Sequence, residues 1–572
     1  MNVYRKFHLE FFLVLLVFIL AFVLRFTNIS NIPNGLYPDE TAIGYNAYSI
    51  LTTGKDEYGV KLPLYFRSFD DYKMPVYIYS TALAIKAFGA NAFAVRVTSA
   101  LFGSLAVIAL YFLILELSRK RSFAFIAALF LAFNPWQFFF SRAGYEVNVA
   151  TSLLVIGTLF FVMAVNRKNN FLLFILSIIA FIIALYTYNV TRIISPLIFL
   201  SLVILYFKKI TVNSKKLLIS LSLLYLIGMI PFIVTYIPLQ SQPGFAAQQD
   251  ALITGNAAKA DILLTRSYFS GLPGFLQKIF FNYWILLLFK LFKDAISFFS
   301  TSFFFTFGAN HPHENIGGGF GMFYYFDFPL IVFGLYQAFR KKVGFLLPFF
   351  IWFLFMFFVG SIIVNTPNDA FGTRAYSVVI PFVVFSAYGF YSLFEMLKEK
   401  GKLIKATAVI IAAVVIGYSY LFYFTSYFVR FPVEYAKEWH SEDKPTVEYI
   451  MSIQDKYKKI VFDDSANFNY TYLLFYGKYP ADLHQKEATY VPSGLVDTVS
   501  KDGKFEFRKV NWDKEMKDPG ILFITSKDNV PSNKAPLKTF NYPTRPVVLY
   551  YDRKIAQYPT TDTAYEIFES GK

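Results

Sequence analysis

The chain has 572 residues, of which 56% are hydrophobic and 20% aromatic, whereas only 16% are charged. This composition excludes an ordinary soluble enzyme and indicates a polytopic membrane protein. The net charge of +16 does not indicate nucleic-acid binding, because the basic residues fall in short clusters between apolar runs. The absence of cysteine excludes disulfides and thiolate metal sites.

Apolar runs of nearly twenty residues predict about eleven membrane-spanning helices. The first run has no small-residue cleavage site, so we expect it to be retained. Every basic cluster between the runs falls on the side of the N-terminus, which the positive-inside rule assigns to the cytoplasm. An odd number of spans places the C-terminus outside. The predicted spans are 9–28, 93–117, 122–140, 147–166, 171–187, 193–207, 216–238, 322–339, 343–363, 375–397 and 403–428.

The predicted fold is a mainly α membrane protein with two domains. Residues 1–430 form the transmembrane module, and residues 431–572 form a small extracytoplasmic α/β domain. The apolar stretch Pro75–Phe88 is short, so it is either a half-buried helix on the outer face or part of a broken span. Phe275–Phe307 contains several charged residues, which favours an interfacial amphipathic helix over a twelfth span. The predicted outer loops are about 29–92, 239–321 and 364–374.

The C-terminal domain has the composition and periodicity of a soluble α/β domain. It contains no glycine-rich phosphate loop, nucleophile elbow or metal-spaced histidines, so we expect no catalysis there. It either shapes access to the membrane site, holds an acceptor, or gives structural support only. The predicted helices are 443–457 and 469–476, and the predicted strands are 459–463, 504–510, 520–525, 537–541 and 546–551.

Two adjacent carboxylates, Asp39 and Glu40, directly follow the first predicted span. In the predicted topology they emerge on the outer side, at the mouth of the first helix. One interpretation is that Asp39 only caps a helix from about Glu40 to Leu51, with Gly54 beyond its end. Capping does not exclude chemistry, because a capped carboxylate is also a fixed one.

Further ionisable residues stand in the other predicted outer connections. Lys73 precedes an apolar segment, where an ammonium suits a lipid phosphate; the alternative is a snorkelling lysine. Arg142 and Glu146, four residues apart, could simply pair with each other. His311 and His313, beside Glu314, could bind a metal, but a site would need a third ligand of known position. The remaining outward-facing cations are Arg96, Arg192 and Arg374.

Acids and cations at a membrane surface suit the transfer of a sugar from a lipid-linked phosphate to a hydroxyl. This reaction needs a base that takes the acceptor proton and cations that stabilise the departing phosphate. A carboxylate close to a lysine or arginine stays ionised and can accept that proton. The predicted outer loops supply both kinds of group.

The sequence also resembles a known family over about residues 1–430, and more loosely beyond them. It is similar to GT-C glycosyltransferases of the protein O-mannosyltransferase and lipid A aminoarabinose transferase type, within the bacterial glycosyltransferase family 39 group. The segments that carry the resemblance are Tyr37–Glu40, Lys73–Pro75, Ala94–Ser99, Ser141–Glu146, Asn310–Gly321 and Phe371–Tyr376.

Carried over residue by residue, the resemblance implies that Asp39 is the catalytic base and Glu40 its acidic neighbour. Lys73 matches the lysine that meets the donor phosphate, although Met74 departs from the family's Lys-Pro-Pro pattern. Glu146 stands where the aminoarabinose transferases carry an aspartate. We assign Arg96, Arg142 and Arg374 to the donor phosphate, and Glu146, Arg192, His311 and His313 to the acceptor or to shaping the site.

The resemblance further implies an undecaprenyl- or dolichyl-phosphate-sugar donor and inversion at the sugar carbon. It implies no obligatory metal, while a divalent metal stays open. The expected protein is an inner-membrane transferase with a cytoplasmic N-terminus, a hydroxyl acceptor of unknown kind and no nucleic-acid partner.

Three rival functions remain. A transporter or flippase of lipid-linked saccharides would be expected to show internal repeats and polar residues at mid-membrane, whereas here the ionisable groups gather at helix ends. An oligosaccharyltransferase would carry a Trp-Trp-Asp motif in its C-terminal domain, which is absent. A polysaccharide polymerase or ligase would rely on outer arginines and histidine without an acidic pair.

Overall fold

The computed structural model divides into two compact units. The first unit comprises Met1–Thr27 with Ser99–Phe424, and the second comprises Asn28–Thr98 with Thr425–Lys572. The module boundary predicted at residue 430 stays a prediction. The structure describes residues 2–69, 71–210, 212–239, 256–363, 372–464, 468–493, 496–526, 534–544, 547–551, 554–558 and 562–571, so parts of the predicted outer loops, 240–255 and 364–371, lie outside it.

Helices dominate the chain up to residue 434, as predicted. They are, in chain order, α1 Asn2–Phe26, α2 Pro38–Thr53, α3 Pro75–Phe88, α4 Ala92–Ser118, α5 Arg121–Phe133, α6 Pro135–Phe140, α7 Glu146–Asn166, α8 Phe171–Leu185, α9 Thr191–Tyr206, α10 Val212–Leu239, α11 Asn256–Tyr268, α12 Gly274–Phe280, α13 Tyr283–Phe298, α14 Asp327–Arg340, α15 Leu347–Ile363, α16 Gly372–Ala375, α17 Val379–Leu397, α18 Lys402–Thr425 and α19 Phe431–Glu434.

The number of membrane spans is not settled by helix length. Each of the eleven predicted spans overlaps a helix, but among the described residues six helices are long and apolar enough to cross a bilayer. The count becomes seven if α12 and α13, which are bent by 45° at their junction, form one broken span. The protein is therefore an integral membrane protein, while the number eleven and an interfacial position for α13 stay predictions.

Close helix packing in the first unit depends on two glycines. A Cβ at Gly334 of α14 would lie 2.1 Å from the Phe385 carbonyl oxygen, and a Cβ at Gly389 of α17 would lie 2.0 Å from the Leu330 carbonyl oxygen. The two backbones can touch only because neither position has a side chain, which is a common device between membrane helices.

The second unit contains a mixed sheet of seven strands in the order β4-β5-β6-β3-β7-β11-β8. Strand β3 is parallel to both β6 and β7, and the other pairs are antiparallel. Two further pairs, β1 with β2 and β10 with β9, form antiparallel ribbons. The strands are β1 Phe66–Ser68, β2 Asp71–Lys73, β3 Lys459–Phe462, β4 Thr489–Ser493, β5 Val496–Asp502, β6 Phe505–Phe507, β7 Ile521–Thr525, β8 Lys538–Tyr542, β9 Val547–Tyr551, β10 Lys554–Tyr558 and β11 Asp562–Glu569.

The predicted α/β character of the C-terminal region is confirmed, and most predicted elements are present. Four helices lie around the sheet: α20 Asp443–Ile453, α21 Tyr470–Tyr476, α22 Ala481–Glu487 and α23 Trp512–Glu515. The strand predicted over 504–510 is shorter, since only Phe505–Phe507 pair with their neighbours. The prediction missed α22, α23, β4, β5, β10 and β11.

Candidate active site

The acidic pair lies in the first turn of α2. The helix begins at Pro38, because the fixed φ of proline suits the first helical position. The interpretation of Asp39 as the N-cap is therefore wrong: Tyr37 occupies that position, and Asp39 is the second residue of the helix. Two carboxylates in the first turn interact favourably with the helix dipole. The predicted end of the helix is confirmed, since Gly54 follows its last residue in the left-handed conformation, with a φ of 71°.

Asp39 and Lys73 form an ion pair in the second unit. Lys73 Nζ donates to Asp39 Oδ1 at 2.8 Å. The lysine side chain is only 8% exposed, whereas the aspartate side chain is 46% exposed. Lys73 is placed by the β1–β2 ribbon, in which it pairs with Phe66. The result is an accessible carboxylate supported by a nearly buried ammonium.

Glu40 is instead buried against Arg96. Arg96 Nε donates to Glu40 Oε1 at 2.8 Å and Nη2 donates to Oε2 at 2.9 Å, and both side chains are fully buried. Arg96 Nη1 also donates to the carbonyl oxygens of Ile29 and Pro33, at 3.0 and 2.9 Å, and Nη2 donates to that of Gly35. This arrangement favours a structural role for Arg96, which holds residues 29–40. Its predicted contact with donor phosphate stays a prediction.

A second acidic pair lies near Lys73, in the segment after α2. Burial raises the pKa of Glu57 to about 8, and the neighbouring Asp56 adds to the rise. The nearby Asn46 side chain and the positive charge of Lys73 lower this pKa but do not offset burial. Burial also raises the pKa of Asp56 to about 6. Glu57 is therefore mostly protonated at neutral pH and does not compete for Lys73 as an anion.

Arg142 lies in the first unit, at the end of α1. Its buried guanidinium donates to the carbonyl oxygens of Leu24, Arg25 and Thr27, at 2.6, 3.0 and 2.7 Å. These carbonyls belong to the last turn of a helix and to its exit, where intrahelical partners are missing. The contacts favour a capping role, and the predicted contact of Arg142 with donor phosphate stays a prediction.

A cluster of polar residues in the first unit is centred on the buried Glu314. Its Oε2 accepts from the Gly372 N–H at 2.5 Å, and its Oε1 accepts from the Thr373 N–H and hydroxyl at 3.2 and 2.9 Å. Glu314 thus binds the N-terminus of α16, where a carboxylate is favoured. Burial raises the pKa of Glu314, whereas these hydrogen bonds and the nearby His311 lower it without offsetting burial.

Tyr188 connects this cluster with two predicted site residues. Burial raises its pKa, whereas a hydrogen bond with Thr373 and the charge of Arg374 lower it. Glu146 and Glu314 raise it further. The structure therefore brings Glu146 and Arg374 together around one tyrosine and one buried carboxylate.

The remaining predicted residues are placed as follows. The Tyr145 hydroxyl donates to the carbonyl oxygen of His313, so the histidine segment contacts the start of α7. Arg192 Nη2 donates to Asn189 Oδ1 at 2.5 Å, and its guanidinium lies 4.7 Å from the Phe232 ring centre. Within the described ranges, no three His, Asp or Glu side chains come together in a way that could hold a metal ion.

Several residues of these clusters carried no clear sequence signal. The sequence predicts no site role for Tyr188 or Thr373, and Glu314 stands out in it only as a neighbour of the two histidines. Glu57 was missed because an acid in a loop is ordinarily solvated, and its burial depends on tertiary packing. The Gly372-Thr373 pair at the start of an apolar helix is a usable signal, because the unpaired N–H groups of a helix start need a hydrogen-bond acceptor such as Glu314.

Comparison with known proteins supports the family resemblance over part of the chain. Residues 72–234 match the family model described as dolichyl-phosphate-mannose-protein mannosyltransferase. The resemblance inferred from the sequence is confirmed for these residues, which make up less than a third of the chain. Among curated proteins there is no significant match.

Solved structures of two membrane enzymes are similar to the chain at low identity. The archaeal oligosaccharyltransferase AglB from Archaeoglobus fulgidus, in complex with an inhibitory peptide and a dolichol-phosphate, is 16% identical with a TM-score of 0.46 over 74% of this chain and 56% of that chain. ArnT from Cupriavidus metallidurans in the apo state is 13% identical with a TM-score of 0.47, over 90% and 93% of the two chains. ArnT bound to undecaprenyl phosphate is 12% identical with a TM-score of 0.47, over 92% and 96%. The chain spans just over half the length of AglB.

Proposed function

We propose that the protein is a membrane glycosyltransferase that moves a sugar from a polyprenyl-phosphate donor to a hydroxyl acceptor. The observation that carries this proposal is the Asp39–Lys73 pair, in which an accessible carboxylate is held at 2.8 Å from a nearly buried ammonium. The description of the matching family names a dolichyl-phosphate-mannose donor. From that description we take only the chemical class of the donor, a sugar linked to a polyprenyl phosphate.

In the proposed reaction Asp39 is the general base. Its free oxygen accepts the proton of the acceptor hydroxyl as that oxygen attacks the anomeric carbon. The bond between this carbon and the phosphate oxygen breaks on the opposite face, so that the configuration inverts. The electron pair stays on the leaving polyprenyl phosphate, whose negative charge Lys73 stabilises.

Lys73 suits this role because it is positioned before the donor arrives. Its ammonium is nearly desolvated, and it sits on a strand rather than on a free loop. Charge interactions are stronger in such a place than in water. Donor phosphate and Asp39 share the ammonium during the reaction, which keeps the base close to the reacting carbon.

Glu40 acts as a positioning residue in this proposal. Its two oxygens are taken up by the Arg96 guanidinium, and its side chain is fully buried. It therefore fixes the first turn of α2 rather than accepting the proton. The assignments of Arg374 to the donor phosphate and of Glu146 to the acceptor side stay predictions.

We further propose that the N-terminus is cytoplasmic and that the acidic pair and C-terminal domain face outwards, in the inner membrane. The basic clusters between apolar runs support this orientation. The membrane itself is the route by which the polyprenyl tail reaches the site. The acceptor is a protein, lipid or glycan hydroxyl.

The proposal is tested in membranes from cells that express the protein, which also supply hydroxyl acceptors, after addition of undecaprenyl phosphate carrying radiolabelled mannose, glucose, galactose or aminoarabinose; membranes from cells that lack the protein are the control. We expect the wild type to release free undecaprenyl phosphate from one of these donors. A flippase would move a labelled donor between leaflets without cleaving it. Movement without cleavage for all four donors would contradict the transferase proposal.

A further inference from the structure

The C-terminal part of the second unit contacts the segment that carries the acidic pair. The Tyr472 hydroxyl donates to the Leu36 carbonyl oxygen at 3.0 Å. The hydroxyls of Thr471 and Thr41 lie 2.7 Å apart, and both residues are fully buried. These contacts fall on either side of Asp39, three residues before it and two residues after it.

Two glycines bring the same segment into close contact with the C-terminal part. A Cβ at Gly35 would lie 1.8 Å from the Trp439 carbonyl oxygen, a distance at which no side chain can exist. A Cβ at Gly44 of α2 would lie 2.5 Å from the Phe475 ring. The Phe475 ring of α21 therefore packs directly on the backbone of α2 at Gly44, and the chain before α2 packs on the Trp439 backbone, which leaves little freedom between the segments.

The orientation of Asp39 depends on this backbone. Within the described residues its side chain forms an ion pair with Lys73, and nearly half of the side chain is exposed. The direction of its carboxylate is therefore set mainly by the first turn of α2. A displacement of about 1 Å at a catalytic group can cost about 100-fold in rate.

We propose that α21 of the C-terminal domain is a positioning element for the catalytic base, in which Thr471 and Tyr472 hold the first turn of α2. This inference rests on the proposed function, because it assigns the contacts to the placement of Asp39. A domain that gave only structural support would have no need to bind the chain on both sides of that residue. The C-terminal domain thus forms part of the catalytic machinery without touching the substrate.

A thiol reporter tests the placement without any donor. The chain has no cysteine, so Ala42→Cys, at a fully buried position of α2, introduces one reporter thiol. We expect Thr471→Val to raise the rate of maleimide labelling at this thiol at least tenfold, and Thr471→Ser to leave it unchanged. Thr446→Val is the matched control, because the buried Thr446 hydroxyl makes no hydrogen bond within the described part of the chain.

A second reporter separates local loosening from general unfolding. Val461→Cys places a thiol in the core of the sheet, on a fully buried position of β3. Thr471→Val should leave the labelling of this thiol unchanged. Faster labelling at both thiols, or at neither, would overturn the inference.

Turnover then shows whether the loosening affects the base. With the donor that the wild type cleaves, Tyr472→Phe and Thr471→Val should lower kcat by about 10-fold or more with donor KM unchanged, and Thr471→Ser should keep the wild-type kcat. Unchanged kcat in both variants, beside an inactive Asp39→Asn, would overturn the positioning role alone. Full activity of Asp39→Asn would instead refute the proposed function, and the labelling result would stand independently.

Discussion

Replacing Arg96 by methionine should destabilise the protein more than removal of any exposed cation. The guanidinium is fully buried, binds both Glu40 oxygens at 2.8 and 2.9 Å, and donates to the carbonyls of Ile29, Pro33 and Gly35. Arg96→Met leaves the Glu40 carboxylate buried without this partner. Breaking a buried pair in this way costs about 3–5 kcal/mol, a large share of the roughly 5–15 kcal/mol that stabilises a folded protein.

A double-mutant cycle measures how much of this loss comes from the unpaired charge. In Arg96→Met with Glu40→Gln the buried charge is gone, so we expect the double variant to be more stable than Arg96→Met by about 1–3 kcal/mol. Thermal unfolding in detergent compares the two single variants, the double variant and the wild type. Arg119→Met is the control, since that side chain is 67% exposed and pairs with Glu116 at the surface, where a pair contributes about 1 kcal/mol or less.

The result that would refute this reasoning is specific. If Arg96→Met unfolds at the same temperature as Arg119→Met, the Arg96 guanidinium does not hold residues 29–40. If the double variant is no more stable than Arg96→Met, the loss comes from packing and not from the unpaired Glu40 charge. Either outcome would remove the structural basis for treating Glu40 as a positioning residue.

Three further predictions concern the donor, pH and helix packing. Lys73→Ala should lower kcat/KM for the donor that the wild type cleaves by about 10- to 100-fold, since it removes a hydrogen bond to a charged phosphate. Lys486→Ala, at a side chain that is 74% exposed, should not change it. The pKa of Glu57 is raised from 4.5 to about 8, so the folded state binds this proton more tightly than the unfolded state does. Stability should therefore fall as the pH rises between these values. Glu57→Gln should make the unfolding temperature less dependent on pH between pH 5 and 8. Gly334→Ala places a Cβ 2.1 Å from a carbonyl oxygen of α17 and should lower the free energy of unfolding by about 1–3 kcal/mol. Gly417→Ala is the control and should not lower it, because a Cβ there would have no atom within 4 Å. Equal effects of the two variants on thermal unfolding would contradict the close contact.

The amino-acid sequence predicts the elements of this fold better than it predicts their partners. Apolar runs and basic clusters locate a helix at every predicted span, because both signals are local. Gly54 marks the end of α2 for the same reason, whereas the predicted cap at Asp39 misses the start of the helix at Pro38. The missed elements of the C-terminal domain are short or polar: α22 has seven residues, four of them charged or histidine, and β5 carries three charged residues.

Partners distant in the chain could not be predicted in the same way. Arg96 and Glu40 are 56 residues apart, and Glu314 and Gly372 are 58 residues apart. The sequence identifies Arg96 and Glu40 as candidate site residues, but it does not identify them as partners of each other. A lone outward-facing arginine is equally consistent with phosphate binding and with capping carbonyl oxygens. Only the folded structure distinguishes Lys73, which faces an accessible carboxylate, from Arg96 and Arg142, whose donors are engaged by buried carbonyls or a buried acid.

The most direct test of the central claim is the rate of sugar transfer by Asp39→Asn in membranes supplied with the donor that the wild type cleaves. The substitution keeps the size of the side chain and removes its basicity. We expect the rate to fall by about 10²–10⁴-fold, while the amount of folded protein in the membrane and the activity of the control Asp482→Asn, at a side chain that is 68% exposed, stay at wild-type levels. Transfer by Asp39→Asn at the wild-type rate would contradict the assignment of Asp39 as the base.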